Sequence, residues 1–496
     1  MANEKQLIRA LTEPTIILDE IRSFTDETSA DDDVQNPVTA VKTVKQIGGV
    51  APAVQILSKV FTGEDITSLE IEMGRGLPTC SAKFLIMDKS VYSRSYPKDG
   101  DVMSVFIRAK DDVFKPIRND YIITSVSISN KEGGNEDAYE SMSVTGELHV
   151  PGYKAIKCFS KKGTSFKAMM QTATDLKLGF ATNEVDTADE QTWICPYERP
   201  IDFIADVTNS AWKDENSFFH SCIDIYYYLN FVNVEPLFGD ETEIESSMLI
   251  DLISNDYGND NVQAKQVGST IISNWDDISS TPFYIKKYSL FNNSASVNLN
   301  NGYKRYVSYY DALLKESQFL FVDPKTTEGA EKDKMLLKGR PNENFYKDQI
   351  QSSWFGVQYG DNGENCHEKY NIAKVQNYQN LVHLQKMGLD VTLQSFNPNL
   401  RILQSIPLII TIKRDATRKV ANTPIDENNP QDKIDVMEAP FVIDKTISGY
   451  YVIWGITYKY RKGEFRQDLK LVRREWPVPP IIGGPPPPTA TANNAS

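Results

Sequence analysis

Residues 371–413 read NIAKVQNYQNLVHLQKMGLDVTLQSFNPNLRILQSIPLIITIK, and this stretch decides how the chain is parsed. Ile372, Val375, Tyr378, Leu381 and Val382 recur at three-and-four spacing, which predicts one apolar face of an amide-rich helix. Leu384 and Met387 fall off that face, so the last turn is expected to be buried more fully. Gly388 suits a left-handed helix C-cap. Leu389, Val391 and Leu393 then alternate with Asp390, Thr392 and Gln394, the period of a half-buried strand. Asn397-Pro398 supplies a turn before a second apolar strand. The unit is helix, strand, turn and strand, and it contains no catalytic grouping.

Working outward, 496 residues exceed one ordinary core and give a prior of about three domains. The formal net charge of -14 argues against a general nucleic-acid binder, because phosphate neutralisation needs clustered Lys and Arg. Cysteines 80, 158, 195, 222 and 366 form no CxxC pair, so neither a structural zinc nor a disulfide framework is suggested. The N-terminal sequence has no secretory leader pattern, and no apolar run approaches a membrane span; the expectation is a soluble protein made in a cytoplasm.

Residues 1–62 read as an N-terminal helical arm with an acidic linker (DETSADDDVQNP), and VTAVKTVKQIGGVAPAVQILSKVF as a segment that docks to a partner. Residues 63–150 alternate between strands and turns: SLEIEM, SAKFLIMD, KDGDVMSVFIRA, RNDYIITSVSIS and ESMSVTGELHV, a small antiparallel sandwich or barrel. Residues 151–235 change to mixed α/β. Thr164 or Ser165 caps one helix, Pro200 opens a second, and a single strand is expected from Ile223 to Phe231, its tyrosine-bearing outer face covered by something. Residues 236–365 are irregular and β-rich. Residues 366–476 carry the helix and a second β section closing in the strand pair YVIWGITYKYR and QDLKLVRR, and residues 477–496 form a Pro-rich tail.

The candidates for chemistry each have a plainer reading. His367-Glu368 begins like a zincin HExxH, but position 371 is Asn and the second ligand is missing. His149, His220 and His383 lie in strand or helix patterns that favour structural roles, and Cys366 beside His367 is adjacency in sequence only. Asn255, Asp256, Asn259 and Asp260 have the composition of a calcium loop without its ligand spacing. Catalytic, cofactor-binding and metal residues are accordingly expected to be none. Paired carboxylates for glycoside cleavage are set by separation in space, so a wall-degrading glycosidase stays open, as does a receptor-binding adhesin.

Four segments resemble the central baseplate hub protein of contractile-tailed bacteriophages, the late-control and contractile injection system hub family. SLEIEMGRGLPTCSAKFLIMDKS with DGDVMSVFIRA is similar to its first tube-like barrel. GTSFKAMMQTATDLKLGF with DVTNSAWKDENSFFHSCIDIYYYLNFVNV resembles its inserted domain, residues 371–413 its link into a second barrel, and FVIDKTISGYYVIWGITYKYRKGEFRQDLKLVR that barrel's closing hairpin. The resemblance implies a mainly β α+β fold: two tube-protein-like antiparallel β-barrels, an inserted α/β domain and an N-terminal helical arm. It further implies a non-enzymatic virion protein, assembled in the host cytoplasm, that trimerises and contacts tail tube, central spike, tape measure and baseplate wedge. It implies no cofactor, no specific nucleic-acid binding and no stable membrane insertion.

Overall fold

The computed structural model describes residues 8–15, 50–57, 59–74, 76–86, 97–109, 117–130, 140–238, 270–271, 283–293, 296–297, 304–311, 315–322, 350–358, 366–384, 387–393, 400–413, 441–443, 447, 449–461 and 463–473. The strands are β1 (Arg9–Thr12), β2 (Val50–Ile56), β3 (Lys59–Phe61), β4 (Ile66–Met73), β5 (Thr79–Ile86), β6 (Val102–Ala109), β7 (Ile117–Asn130) and β8 (Glu140–Leu148). An inserted subdomain follows, with β9 (Lys157–Gly163), helix α1 (Ser165–Asp175), β10 (Gly179–Thr182), β11 (Gln191–Glu198), helix α2 (Pro200–Ser210), β12 (Phe219–Ile223) and β13 (Tyr228–Asn233). Beyond it lie β14 (Thr270–Ile271), β15 (Phe283–Asn292), β16 (Lys304–Asp311), β17 (Glu316–Val322), β18 (Ile350–Gln358) and helix α3 (Tyr370–His383). The chain closes with β19 (Met387–Leu393), β20 (Ser405–Ile409), β21 (Thr411–Lys413), β22 (Phe441–Ile443), β23 (Gly449–Arg461) and β24 (Glu464–Val472).

The fold is α+β and mainly β. Its centre is one antiparallel sheet of thirteen strands, ordered β20-β14-β15-β19-β24-β23-β4-β5-β8-β7-β6-β2-β3. The expectation of two separate closed barrels is corrected here, and the reason lies in β23. Thirteen residues long, it carries β24 along one edge and two different strands along the other. Ser405–Leu408 of β20 pair with its first residues, Gly449 to Val452, and β4 pairs with Ile456 to Arg461. A strand shared in this way makes the halves continuous, and the β20 pairing curls the second half back towards β23.

Alternation explains why these segments are strands. Leu69, Ile71 and Met73 of β4 are buried while Glu70 and Glu72 are exposed; Cys80, Ala82, Phe84 and Ile86 repeat the pattern on β5. One apolar core runs from Val54 through Phe219 to Val472, so both sheet halves and the inserted subdomain share it.

Two expectations about the N-terminal region meet a different structure. Where residues 1–62 are described they form strands, not a helical arm: β1 joins β10 of the inserted subdomain, and β2 and β3 extend the main sheet. The apolar residues of VAPAVQI satisfy a period of two as well as a helical spacing, and the buried Val54 and Ile56 show which one burial selects. The acidic linker and the Pro-rich tail lie outside the described residues, as does the Asn397-Pro398 turn.

Gly388 also has a different role. Helix α3 ends at Leu384 and Gly388 lies within β19. A Cβ there would sit 2.3 Å from the Leu471 carbonyl oxygen and 2.5 Å from the Phe291 ring, so glycine is required by close approach of backbone and side chain. Gly388→Ala is expected to cost about 1–3 kcal/mol, the range for overpacking. Gly76→Ala, where a Cβ meets nothing within 4 Å, should stay within about 0.5 kcal/mol of wild type in urea unfolding.

Candidate assembly site

The inserted subdomain meets both sheet halves through the tip of a hairpin. Sequence alternation predicts one strand from Ile223 to Phe231, but the chain turns back between β12 and β13, and Ile223 pairs with Leu229. Asp224 makes the turn: its Oδ1 accepts the Tyr226 N–H at 2.9 Å and the Tyr228 N–H at 3.0 Å, while Oδ2 accepts Asn230 Nδ2 at 3.2 Å. The side chain is 3 % exposed. Burial pushes its carboxyl above the usual range, opposed by those hydrogen bonds and by the charge of Arg401.

Tyr227 holds φ at 62°, in the left-handed region that bulky residues rarely adopt. Contacts with the first sheet half hold it there. Its hydroxyl accepts the Asp120 N–H of β7 at 3.1 Å, and Asn119 Nδ2 donates to the Ile225 carbonyl. On the opposite side the Arg401 guanidinium lies 5.3 Å from the Tyr226 ring centre and 6.0 Å from that of Tyr228. The loop carrying Arg401 is tied to β23, with Leu403 N–H donating to Ile453 O at 2.7 Å and Ile453 N–H to Gln404 O at 3.0 Å. His220 of β12 stacks on Trp454 of β23 at 4.5 Å. One hairpin therefore touches β7 in the first half and β23 and its loop in the second.

Helix α3 attaches to the same subdomain through polar groups. Asn377, 1 % exposed, accepts the Phe219 N–H at 3.0 Å. Its Nδ2 faces the carbonyls of Thr208, Asn209 and Ala211 at 3.2, 2.9 and 2.9 Å, which satisfies the end of α2. Gln376 Nε2 donates to Ser217 O at 3.0 Å, and Lys374 pairs with Asp206 at 2.9 Å. Just before the helix, the His367 N–H donates to Gln191 Oε1 at 2.8 Å and its Nε2 lies 2.9 Å from Ser210 O, the distance of a donated hydrogen bond. The buried face therefore holds Asn371, Ala373, Val375 and Asn377, whereas Tyr378 of the expected apolar face is exposed.

On the solvent side of the seam lies a cleft of about 700 Å³ lined by Glu72, Lys287, Thr392, Thr457, Asp468 and Lys470. Lys459 crosses the seam there, reaching Asp468 on β24 at 3.0 Å and Glu70 on β4 at 3.5 Å. Thr392 Oγ1 donates to Asp468 at 2.8 Å.

The sequence candidates are scattered through this frame. His367 is a buried structural group, and the Cys366 thiol points to the His367 carbonyl at 3.5 Å, not to the imidazole. His149 donates its backbone N–H to Asp120 O at 2.8 Å, and His383 ends α3. The five cysteines are free thiols, Cys158 exposed and the others buried. Asn255, Asp256, Asn259 and Asp260 lie outside the described residues. Among the described residues no group of three His, Cys, Asp or Glu side chains could hold a metal ion, and no helix is long and apolar enough to cross a membrane.

No protein-family model matches the chain, and no curated protein matches it. Similar solved structures do exist. They are tail and secretion-apparatus proteins. A tail protein from Neisseria meningitidis MC58 is 12 % identical with a TM-score of 0.42, over 86 % of this chain and 97 % of that one. The 43 kDa tail protein of prophage MuSo2 from Shewanella oneidensis is 9 % identical with a TM-score of 0.43, over 86 % and 98 %. An E. coli type VI secretion component, described as structurally similar to T4 tail proteins gp27 and gp5, is 10 % identical with a TM-score of 0.35, over 85 % and 78 %.

Asn377→Leu leaves three carbonyls of the α2 terminus without their donor and should destabilise the chain by about 2 kcal/mol or more. Hydrogen exchange across residues 206–212 should accelerate with it, while exchange in β5 and β8 should not beyond the global change. Burial holds the His367 pKa below its ordinary 6.5, against the Ser210 hydrogen bond and the Asp189 charge that raise it. A depressed folded-state value means that the unfolded chain takes up the proton first, so stability is full above about pH 6.5 and is lost as pH falls. His367→Gln should flatten that loss between about pH 7 and 5.5 in urea titrations, relative to wild type.

Proposed function

We propose that this chain is a structural protein of a contractile tail: a trimeric baseplate hub that adapts a sixfold tail tube to a threefold central spike. The observation that carries the reading is the pairing of β4 with β23, which fuses two antiparallel sheet halves within one chain. Three such chains about an axis present six sheet halves, enough to meet a sixfold ring, while the trimer keeps threefold symmetry for the spike. The chain segments that resemble the hub family fall on both halves, on the inserted subdomain and on α3.

Tube, spike and tape-measure proteins are the partners in this reading, with wedge proteins at the periphery, and the place of action is the virion tail after assembly in the host cytoplasm. The net charge of -14 suits a channel that lets nucleic acid pass without holding it. The function is mechanical and not enzymatic: Asp468 at the seam is committed to Lys459 and Thr392.

Mass photometry of the purified protein should give a species three times the 56.0 kDa chain mass, and peptidoglycan zymography should give no clearing. A stable monomer that never enters a tail contradicts the hub reading, and clearing abolished by one carboxylate substitution would replace it with a glycosidase.

A further inference from the structure

The inserted subdomain holds a second small sheet, in which β9 and β11 pair antiparallel from Gln191↔Gly163 to Glu198↔Lys157. Among the described residues β9 has no strand partner but β11, so its other edge is open. At the start of β9 a cleft of about 400 Å³ opens, lined by Lys157, Cys158 and Phe159 and by Thr172, Asp175 and Leu176 of α1. Apolar side chains stand exposed beside it, Ile156 at 71 % and Tyr197 at 80 %, with Ile194 on the adjoining strand also exposed.

The charges around this edge are unbalanced. Lys154, Lys161 and Lys167 are spent on Glu147, Asp175 and Asp186. Lys157 and Lys162 make no ion pair among the described residues, although the chain as a whole is strongly acidic. The other sheet of the subdomain already completes itself by strand addition: β1, remote in sequence, lies antiparallel on β10. We propose that the open edge of β9 is a docking site for an extended acidic segment of a partner protein. The segment adds as a strand, its backbone pairing with β9, its carboxylates meeting Lys157 and Lys162, and its alternate apolar side chains covering Ile156, Ile194 and Tyr197. Backbone pairing supplies the affinity, and the lysines select the sign of charge.

The test uses the full chain and short labelled peptides in fluorescence anisotropy. One probe alternates aspartate with valine, a second has lysine for aspartate, and a third is the acidic probe with alternate backbone amides N-methylated. The acidic probe should bind at least about tenfold tighter than the basic one. N-methylation should remove at least about tenfold of that affinity, as should the pair Lys157→Glu and Lys162→Glu. The bound acidic probe should also slow hydrogen exchange in residues 157–163. Equal binding of all three probes, indifference to the lysine variants, or protection confined to other strands would overturn the proposal. That outcome would leave the lysines as charges that keep an open edge from pairing at all.

Discussion

Everything else in this molecule depends on β23 being long enough to serve two sheets. A strand of ordinary length can close one barrel or join one neighbour. With thirteen residues, β23 gives its first four to β20, its last six to β4 and nearly its whole other edge to β24. Side-chain direction has a period of two, so the shared strand fixes both halves in one register: Ile456 and Tyr458 face the core, and Thr457 and Lys459 face the solvent cleft. A one-residue slip would expose the core of both halves together.

The inserted subdomain then locks the seam from the inner side. Its contact surface is polar as well as apolar, with Asp224, Asn119, Asn377 and His367 all buried and hydrogen-bonded. Such groups gain little net energy when satisfied and cost about 1–3 kcal/mol each when a partner is lost. They therefore specify a geometry more than they add stability, and they hold Tyr227 in a backbone conformation it would not choose alone. A protein whose task is to hold two similar units at fixed spacing needs that kind of specification.

Much of the strand pattern was legible because burial follows alternation. The strands around Leu69, Phe84 and Val144, the hairpin closed by Gly463 and the caps at Thr164 and Pro200 all fall where spacing and turn chemistry place them. What failed did so for identifiable reasons. In the run from Ile223 to Phe231 alternation continues through the turn, because Asp224 supplies turn chemistry without a Gly or Pro to announce it. In α3 the apolar spacing drew attention to Tyr378, while the helix is held by Asn377 and Gln376. A run of amides on a helix that must leave one domain for another was the available signal. Gly388 could be assigned to a cap from local sequence, since the Phe291 and Leu471 that require it come from strands far away in the chain. The sharing of β23 between halves is a long-range fact that no local pattern carries.

The most direct measurement is a cryo-electron microscopy reconstruction of the assembled particle at the tail end. The account predicts three copies of this chain in a ring about the tail axis, their six sheet halves apposed to the last tube ring and their opposite face on the spike. Density for this chain as a single copy, as a peripheral fibre or outside the tail would contradict it.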